Sequence, residues 1–286
     1  MTCGGQGHIN PMIQFSKRLQ SKGVKITIAP TKSFLKTMKE LPTPVSIEAI
    51  SDGYDDGGVD EAGSYAVYIT RFKEVGLDTL SQLIQKLKNC GCPVNCIVYD
   101  PFLPWAVEVA KKFGLVSAAF FTQNCTVDNI YYYVDKGVIK LPPTKVDEEI
   151  LLPGLSCTIE TSDVPSFVST PESDILVEML VNQFSNLQKA DWILINSFYE
   201  LEKEPTNTKL VQDVWEMGIK AKQDEKGIVR REVIEECIKL VMEEEKGNVI
   251  RGNAKKWKEL ARNAMDEGGS SDKNIEEFVS KLMTIS

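Results

Sequence analysis

Short β-rich runs alternate with helix-like patterns over the first two thirds of the chain. Strands are predicted where β-branched and aromatic residues cluster or alternate with polar ones, at 24–28, 96–99, 116–121 and 192–196. Helices are predicted where apolar residues recur every three or four positions, at 10–22, 33–40, 65–87 and 105–113. Such alternation is typical of a parallel sheet with helices on its faces. We therefore predict an α/β fold built on a Rossmann-like parallel sheet.

The pattern changes after about Glu204. From Pro205 onward the chain is nearly all helical in pattern, is rich in Glu, Lys and Arg, and contains no predicted strand. Narrow apolar stripes predict three helices there, at 233–242, 254–265 and 272–282. About 80 helical residues without a sheet are too few for a second α/β domain. We predict an α/β domain at 1–204 and a helical segment at 205–286.

Composition excludes several classes of function. A formal net charge of −8 argues against a surface for nucleic acid or an anionic membrane, since both need basic patches. No apolar run approaches the ~18–20 residues of a membrane-spanning helix, and no signal-peptide pattern is visible, so we expect a cytoplasmic protein. Among the seven cysteines, Cys90, Cys92 and Cys96 form a cluster that lacks both a histidine and zinc-site spacing. We expect free thiols in a reducing cytosol and no metal site.

His8 is the only histidine in the chain and lies in a glycine-rich turn ahead of a predicted helix. Asn10 is expected to cap that helix and Pro11 to fit its first turn. An imidazole titrates near neutral pH, so His8 is the first candidate for acid–base chemistry. The turn has neither the dinucleotide-binding glycine fingerprint nor a phosphate-binding Gly-Lys-Ser/Thr sequence, which argues against an NAD(P)-binding protein of the Rossmann type. The alternative is a hydrogen-bonded histidine with a structural role.

Two polar residues follow the ends of predicted strands. Asp100 comes after the strand at 96–99, and Thr122 comes after the strand at 116–121. In open α/β sheets this edge binds ligands. A carboxylate there can accept a hydrogen bond from one ring nitrogen of a basic histidine, which fixes the tautomer and stabilises the imidazolium. Asp100 is therefore the natural partner of His8, although it can instead cap the helix that begins near Trp105.

Several longer segments resemble plant UDP-glycosyltransferases of the inverting GT-B type. They are GQGHINPMIQFSKRL at 5–19, CIVYD at 96–100, FLPWA at 102–106, NSFYELE at 196–202, PTN at 205–207 and DEKGIVRR at 224–231. The resemblance implies the N-terminal half of a GT-B fold at 1–204. It also implies transfer of glucose or another sugar from a UDP-sugar to a small phenolic or lipophilic acceptor, by direct displacement with inversion.

The resemblance also implies roles for individual residues. The position that matches His8 is the general base, and the position that matches Asp100 is its orienting carboxylate. The position that matches Thr122 lies near the donor sugar, and we take Gly7, Thr122 and Gln123 as candidate substrate-binding residues. No cofactor or metal is implied, because the UDP-sugar is a co-substrate and protein dipoles hold the leaving diphosphate in this family.

The chain departs from the family pattern in two places. The family's donor-binding box, with its W-C-x-Q start, H-C-G-W-N-S core and closing acid–glutamine pair, is missing, since no histidine follows position 8. Glu204 belongs before that box and Pro205 belongs after it, so 205–286 is expected to be a remnant of the donor-binding domain. The apolar strand that precedes the glycine-rich turn in the family is also missing, and its loss would expose two sheet edges to association.

These departures leave two functions open. The first is a UDP-glycosyltransferase with weak or no sugar transfer, because most of the donor site is absent. The alternative is a non-catalytic, truncated isoform that binds an acceptor or regulates a relative.

Three lesser features have ordinary explanations. The acidic, Gly-rich segment at 51–58 lacks the spacing of an EF-hand calcium loop and is expected to be a solvated loop, which by resemblance borders the acceptor cleft. The three tyrosines at 131–133 either line an acceptor pocket or pack in the core. Trp215 and Trp257 are expected to be packing residues.

Overall fold

Five short parallel strands form the sheets in the computed structural model of the chain. The structure describes residues 5–38, 45–140, 151–153, 158, 164–169, 174–199, 201, 211, 215–222, 224 and 228–284. The strands are β1 (Thr27–Ile28), β2 (Ser46–Ile47), β3 (Cys96–Tyr99), β4 (Val116–Phe121) and β5 (Trp192–Ile195). β1 pairs with β2, while β3, β4 and β5 form a second sheet in that order. The expected α/β class with parallel pairing is confirmed.

Helices cover the sheets and follow them along the chain. Those of the α/β part are α1 (Gln6–Ser21), α2 (Lys32–Thr37), α3 (Val59–Ala62), α4 (Tyr65–Asn89), α5 (Ala106–Phe113), α6 (Cys125–Asp135), α7 (Ser166–Ser169) and α8 (Asp174–Asn182). The last three are α9 (Arg231–Met242), α10 (Glu245–Met265) and α11 (Ser270–Thr284). No strand occurs after residue 204 in the described part of the chain, as the sequence predicts.

The core lies around β4, whose six residues are all buried. A strand that is covered on both faces has mostly apolar residues, and five of the six residues of β4 are apolar, with Ser117 the exception. Its register aligns Ala118 with Val98 on one side and with Trp192 on the other. β4 is therefore the central strand of its sheet, and the residues that follow it are held on a rigid base.

The described strands form two separate sheets. β1 and β3 are not hydrogen-bonded to each other, so the strands make a two-stranded and a three-stranded sheet. The ladder at β1 is short: only Thr27 and Ile28 pair with β2, followed by an isolated bridge between Thr31 and Ile50. Residues 1–4, which are expected to stand in place of the family's first strand, lie outside the described residues.

The first helix begins earlier than Asn10. Gly5 is extended, and its carbonyl accepts hydrogen bonds from the amides of His8 and Ile9, both at 3.0 Å. The helix therefore starts at Gln6, and Asn10 is not its cap. Pro11 lies inside the helix, where it lacks the amide that would donate to the carbonyl four residues earlier. His8 is consequently a helical residue of the first turn and not a loop residue.

α11 ties the end of the chain to the first helix. Phe278, Val279 and Leu282 are buried against Leu19 of α1 and against β4. The buried Asp272 accepts a hydrogen bond from Arg18 at 2.6 Å and lies 2.7 Å from the Lys22 ammonium. The hydrogen bond from Lys22 is the main cause that lowers the pKa of Asp272 to about 2. This helix is thus docked by both an apolar face and a buried carboxylate.

Several minor expectations can also be compared with the structure. Trp215 is buried and its ring lies 6.1 Å from that of Trp257, so both are packing residues as expected. Within the described ranges Cys90, Cys92, Cys96 and Cys237 are free thiols. The junction between Glu204 and Pro205 lies outside the described residues, so the division at that point stays a prediction. Within the described ranges no helix is both long and apolar enough to span a membrane.

Candidate active site

His8 and Asp100 meet at the carboxyl edge of the β3–β4–β5 sheet. The Nδ1 atom of His8 lies 2.9 Å from Oδ2 of Asp100. The carboxylate is completely buried, whereas the imidazole is 19% exposed. The sequence-based expectation that these two side chains lie together is confirmed. The protein surface therefore presents one face of a histidine whose other side is anchored to a buried charge.

The turn after β3 explains why Asp100 points at the ring. Its backbone carbonyl accepts from the amide of Leu103 at 2.8 Å, and its Oδ1 accepts from the amide of Phe102 at 3.0 Å. These bonds leave Oδ2 directed toward His8. The alternative role as the cap of the next helix is wrong, because the N-cap of α5 is Trp105.

Neighbouring side chains fix the orientation of the imidazole. The ring of Phe102 lies 4.7 Å from that of His8 between centroids, and the hydroxyl of Thr122 lies 3.4 Å from Nδ1. Because the shorter contact joins Nδ1 to a carboxylate, which only accepts, we assign the proton of the neutral ring to Nδ1. Nε2 is then the basic nitrogen.

The electrostatics of the site favour the protonated ring. Burial of His8 disfavours the imidazolium and by itself lowers the pKa, but the hydrogen bond to Asp100 and the negative charges of Asp100 and Asp128 outweigh it. The pKa of His8 is therefore raised above its ordinary value of 6.5. A histidine of this kind is a stronger base than a free imidazole once it has lost its proton.

A large cavity of about 690 Å³ opens beside His8. Its wall is mainly aromatic and aliphatic, and includes Phe34, Tyr68, Phe72, Phe102, Trp105 and Met179. Polar side chains also line it, among them Thr31 and Ser33. A cavity of this size with a mainly apolar wall is typical of a site for a small organic molecule.

The acidic loop at 51–58 borders this cavity through Gly57 and Gly58. Asp52 is fully buried and accepts hydrogen bonds from Ser33 and from the hydroxyl of Tyr68, so it supports the wall. Within the described ranges no three His, Cys, Asp or Glu side chains are grouped to hold a metal ion. None of the tyrosines at 131–133 lines the cavity, and Tyr131 is buried in the core.

A second, small recess also borders His8 and contains several polar side chains. It is lined by His8, Asp100, Pro101, Phe102, Phe121, Thr122, Gln123, Asp128 and Gln183. Thr122 and Gln123 follow β4, as the sequence predicts, and Gln123 Oε1 has no hydrogen-bond partner within the described residues. Gly7 lines neither the recess nor the large cavity, whose glycine beside His8 is Gly5.

Sequence reasoning did not single out Asp128 or Gln183. A usable signal existed for Asp128, because Asn124 caps α6 at the end of β4 and this places residue 128 one turn into the helix. Gln183 reaches the recess from the end of α8, far along the chain, and the sequence pattern contains no signal for that contact.

Fold and site together define an α/β protein with a carboxylate-anchored basic histidine beside an apolar cavity. No family model matches the chain. The chain is 30% identical to UDP-glycosyltransferase 74F2 of Arabidopsis thaliana, over 98% of this chain and 96% of that protein. It is 40% identical to UDP-glycosyltransferase 74B1 of the same plant, over 69% of this chain and 43% of that one.

The structure agrees with this relationship. It superposes on Os79 from O. sativa, solved in a complex that contains trichothecene, with a TM-score of 0.86 and 25% identity, over 97% of this chain and 98% of that one. The chain belongs to the plant UDP-glycosyltransferases, and it has their GT-B fold. It is by resemblance an enzyme, a glycosyltransferase that acts on small-molecule acceptors.

Proposed function

We propose that the chain binds a small, apolar, hydroxyl-bearing acceptor in the large cavity. His8 is the general base of an inverting glucosyl transfer to that acceptor, and this transfer is weak or absent in this chain. The observation that carries the proposal is the 2.9 Å contact between His8 and the buried Asp100 at the edge of a 690 Å³ aromatic cavity. This is the arrangement expected of a histidine that removes a proton from a ligand in the cavity.

In the proposed step, Nε2 of His8 takes the proton of the acceptor hydroxyl. The acceptor oxygen forms a bond to the anomeric carbon of the sugar as the bond from that carbon to UDP breaks, and UDP leaves from the opposite face. Asp100 stabilises the imidazolium that results. General-base assistance of this kind contributes ~10²–10⁴ in rate, and the positioning of donor and acceptor contributes the remainder.

The cavity wall supports an aromatic or otherwise apolar acceptor. Phe34, Phe72 and Trp105 present ring surface, and His8 lines the same cavity, so the acceptor is proposed to lie on these rings with its reactive oxygen at His8. Thr122 and Gln123, at the edge of β4, are proposed to contact the sugar, since both line the recess beside His8. We also propose that the transfer takes place in the cytoplasm.

Two observations support weak transfer. The chain has no histidine after position 8 and lacks the family's donor-binding box. Its alignment to the Arabidopsis 74F2 protein extends over 443 positions, which is longer than the 286-residue chain, so the alignment includes a stretch of that relative with no counterpart here. We infer that 205–286 is what remains of the donor-binding domain and that a UDP-sugar binds poorly.

The test combines an activity assay with separate binding measurements on the full chain. UDP-glucose is supplied with a panel of phenolic and flavonoid acceptors, and acceptor and donor binding are each measured by calorimetry. We expect acceptor binding, weak or no donor binding, and product formation near background. His8→Ala and Asp100→Asn should remove any transfer while acceptor binding is retained. Failure of every acceptor to bind, or transfer that survives His8→Ala, would contradict the proposal.

A second candidate is a non-catalytic acceptor-binding or regulatory protein. It is favoured by the fact that all described residues that line the large cavity lie between 5 and 186, so the cavity does not depend on the last three helices. Pairing with a second chain through the edges of β1 and β3 is the accompanying proposal. Acceptor affinity without any donor affinity, together with a dimer mass in light scattering, would favour this function over transfer.

A further inference from the structure

A second carboxylate faces the His8 site from a different element than Asp100. Asp128 is the fourth residue of α6, and it is buried with 9% of its surface exposed. It lines the same small recess as His8, Asp100 and Thr122. Asp100 approaches the ring from the end of β3, whereas Asp128 approaches from the helix that follows β4. The imidazole therefore lies in a recess with two buried carboxylates.

We propose that Asp128 is a positioning residue whose charge holds the His8 imidazolium in place and makes His8 a stronger base than Asp100 alone would. The inference rests on the proposed function, in which His8 removes a proton from the acceptor. Asp128 would act through His8 and not by contact with the acceptor, because it lines the recess and not the large cavity.

The charges around the ring support this role. Within the described part of the chain, β3 contributes Asp100 and α6 contributes Asp128, whereas the other polar groups of the recess, Thr122, Gln123 and Gln183, are uncharged. No lysine or arginine is among the described residues that line the recess. On the large-cavity side the charged side chains in the wall are Asp60, Lys73 and Glu108. Among the described residues that line the recess, His8 is thus the one side chain that can carry a positive charge.

Burial makes this charge effective. Attraction between opposite charges is strong where water is excluded, and a buried carboxylate favours protonation of a nearby imidazole. Burial of His8 lowers its pKa, whereas the hydrogen bond to Asp100 and the charge of Asp100 raise it. The charge of Asp128 raises the pKa further and acts in addition to Asp100. Removal of the Asp128 charge should therefore favour the neutral ring.

The expected consequence is a change in pH dependence with a defined sign. His8 acts as a base only when it is deprotonated, so a raised pKa moves the acid limb of the transfer rate to higher pH. Asp128→Asn should move that limb to lower pH and reduce the rate on the plateau, because the neutral ring is then a weaker base. A purely structural role for Asp128 would change the plateau without moving the limb.

The test uses the fact that His8 is the only histidine, so the full chain gives one set of imidazole signals. The titration midpoint of His8 is measured by NMR in the wild-type chain, in Asp128→Asn, and in the control Asp135→Asn. Asp135 lies at the other end of α6 and pairs with Lys136 at 2.8 Å, and it is not among the causes that shift His8. We expect a lower midpoint in Asp128→Asn and an unchanged one in Asp135→Asn.

A midpoint in folded Asp128→Asn that equals the wild-type value would overturn the inference. An equal decrease of the His8 midpoint in both variants would also overturn the inference. The decrease would then come from the overall charge of the protein and not from the position of Asp128. If Asp128→Asn does not fold, Asp128→Ser tests the loss of charge with a smaller side chain, and Asp128→Glu should retain the raised midpoint. The titration needs no sugar transfer, so it separates failure of this inference from failure of the proposed function.

Discussion

The α/β part of the chain and the last three helices differ sharply in how they bury their apolar residues. β4 is buried along its whole length, and α5 buries four of its eight residues. By contrast α9 has no buried residue, and its Ile234, Ile238 and Met242 are 46%, 57% and 67% exposed. The first region contains the main core, whereas in the second region α9 contacts α10 and still leaves these three apolar side chains exposed. The candidate site depends on the first region alone.

α11 is the exception within the second region. It docks on α1 through Phe278 and through Asp272, as described above, and so it belongs to the core of the first region. α11 and α9 therefore differ in how deeply they are buried, although both were predicted from the same kind of apolar stripe. Substitutions in these helices should have very different effects on stability.

The largest effect is expected for Phe278→Ala. This ring is 1% exposed, and it lies 5.4 Å from the ring of Trp192 on β5 and 6.3 Å from that of Phe15 on α1. Removal of a buried phenylalanine ring leaves a cavity and costs about 3–5 kcal/mol. We expect a loss of that size in the free energy of unfolding, measured by urea denaturation and followed by tryptophan fluorescence.

The matched control is Met242→Ala on α9. Its side chain is 67% exposed, so the free energy of unfolding should change by less than ~0.5 kcal/mol. Equal losses in the two variants would break the comparison, because they would mean that α9 is packed as firmly as α11.

An intermediate effect is expected for Gly76→Ala in α4. A Cβ at this position would lie 2.5 Å from Cη2 of Trp105, a buried residue in the wall of the large cavity. Overpacking of this kind costs ~1–3 kcal/mol, against which alanine gains ~1 kcal/mol in helix propensity. We expect a net loss of up to about 2 kcal/mol in stability, and weaker acceptor binding because the indole must shift. Denaturation and calorimetry measure the two effects.

Gly252→Ala in α10 is the control from the other region. A Cβ there would meet nothing within 4 Å, so only the propensity gain remains. This variant should be as stable as the wild type or more stable by up to ~1 kcal/mol. A loss at Gly252 comparable to the loss at Gly76 would show that α10 is packed against something on that side.

The length and periodicity of an element decide whether it could be predicted from the sequence. Long elements with strong periodicity, such as α4 and β4, lie close to where the apolar pattern predicts them. A general rule about strand ends in parallel sheets placed Asp100 at the ligand-binding edge, but it left the pairing with His8 and a helix-cap role equally open. β2 has only two residues, Ser46 and Ile47, so no periodicity exists to reveal it.

Two other features were missed because they depend on tertiary structure. Helix α1 begins at Gln6 because the carbonyl of Gly5 accepts two amides, and the presence of Asn10 and Pro11 suggested a later start. Asp128 lies in α6 and Gln183 directly follows α8, and the packing of α6 near α8 brings both to the recess beside His8. Strand-end rules locate the edge of a site, whereas helix packing decides which further side chains enter it.

The smallest effects are expected from surface ion pairs. Lys111 of α5 lies 2.8 Å from Asp191, and Lys239 of α9 lies 2.8 Å from Glu235 one turn earlier. All four side chains are about half exposed, so Lys111→Met should cost less than ~1 kcal/mol and Lys239→Met about 0.3–0.5 kcal/mol. Asp191 also accepts from the amide and hydroxyl of Ser117, so it keeps partners after the lysine is removed. Denaturation in low salt and in 1 M NaCl measures both losses of stability, and the high salt should reduce both.

A loss above ~2 kcal/mol at Lys239 would contradict the comparison, because an exposed pair on α9 would then contribute as much as buried packing in the α/β core.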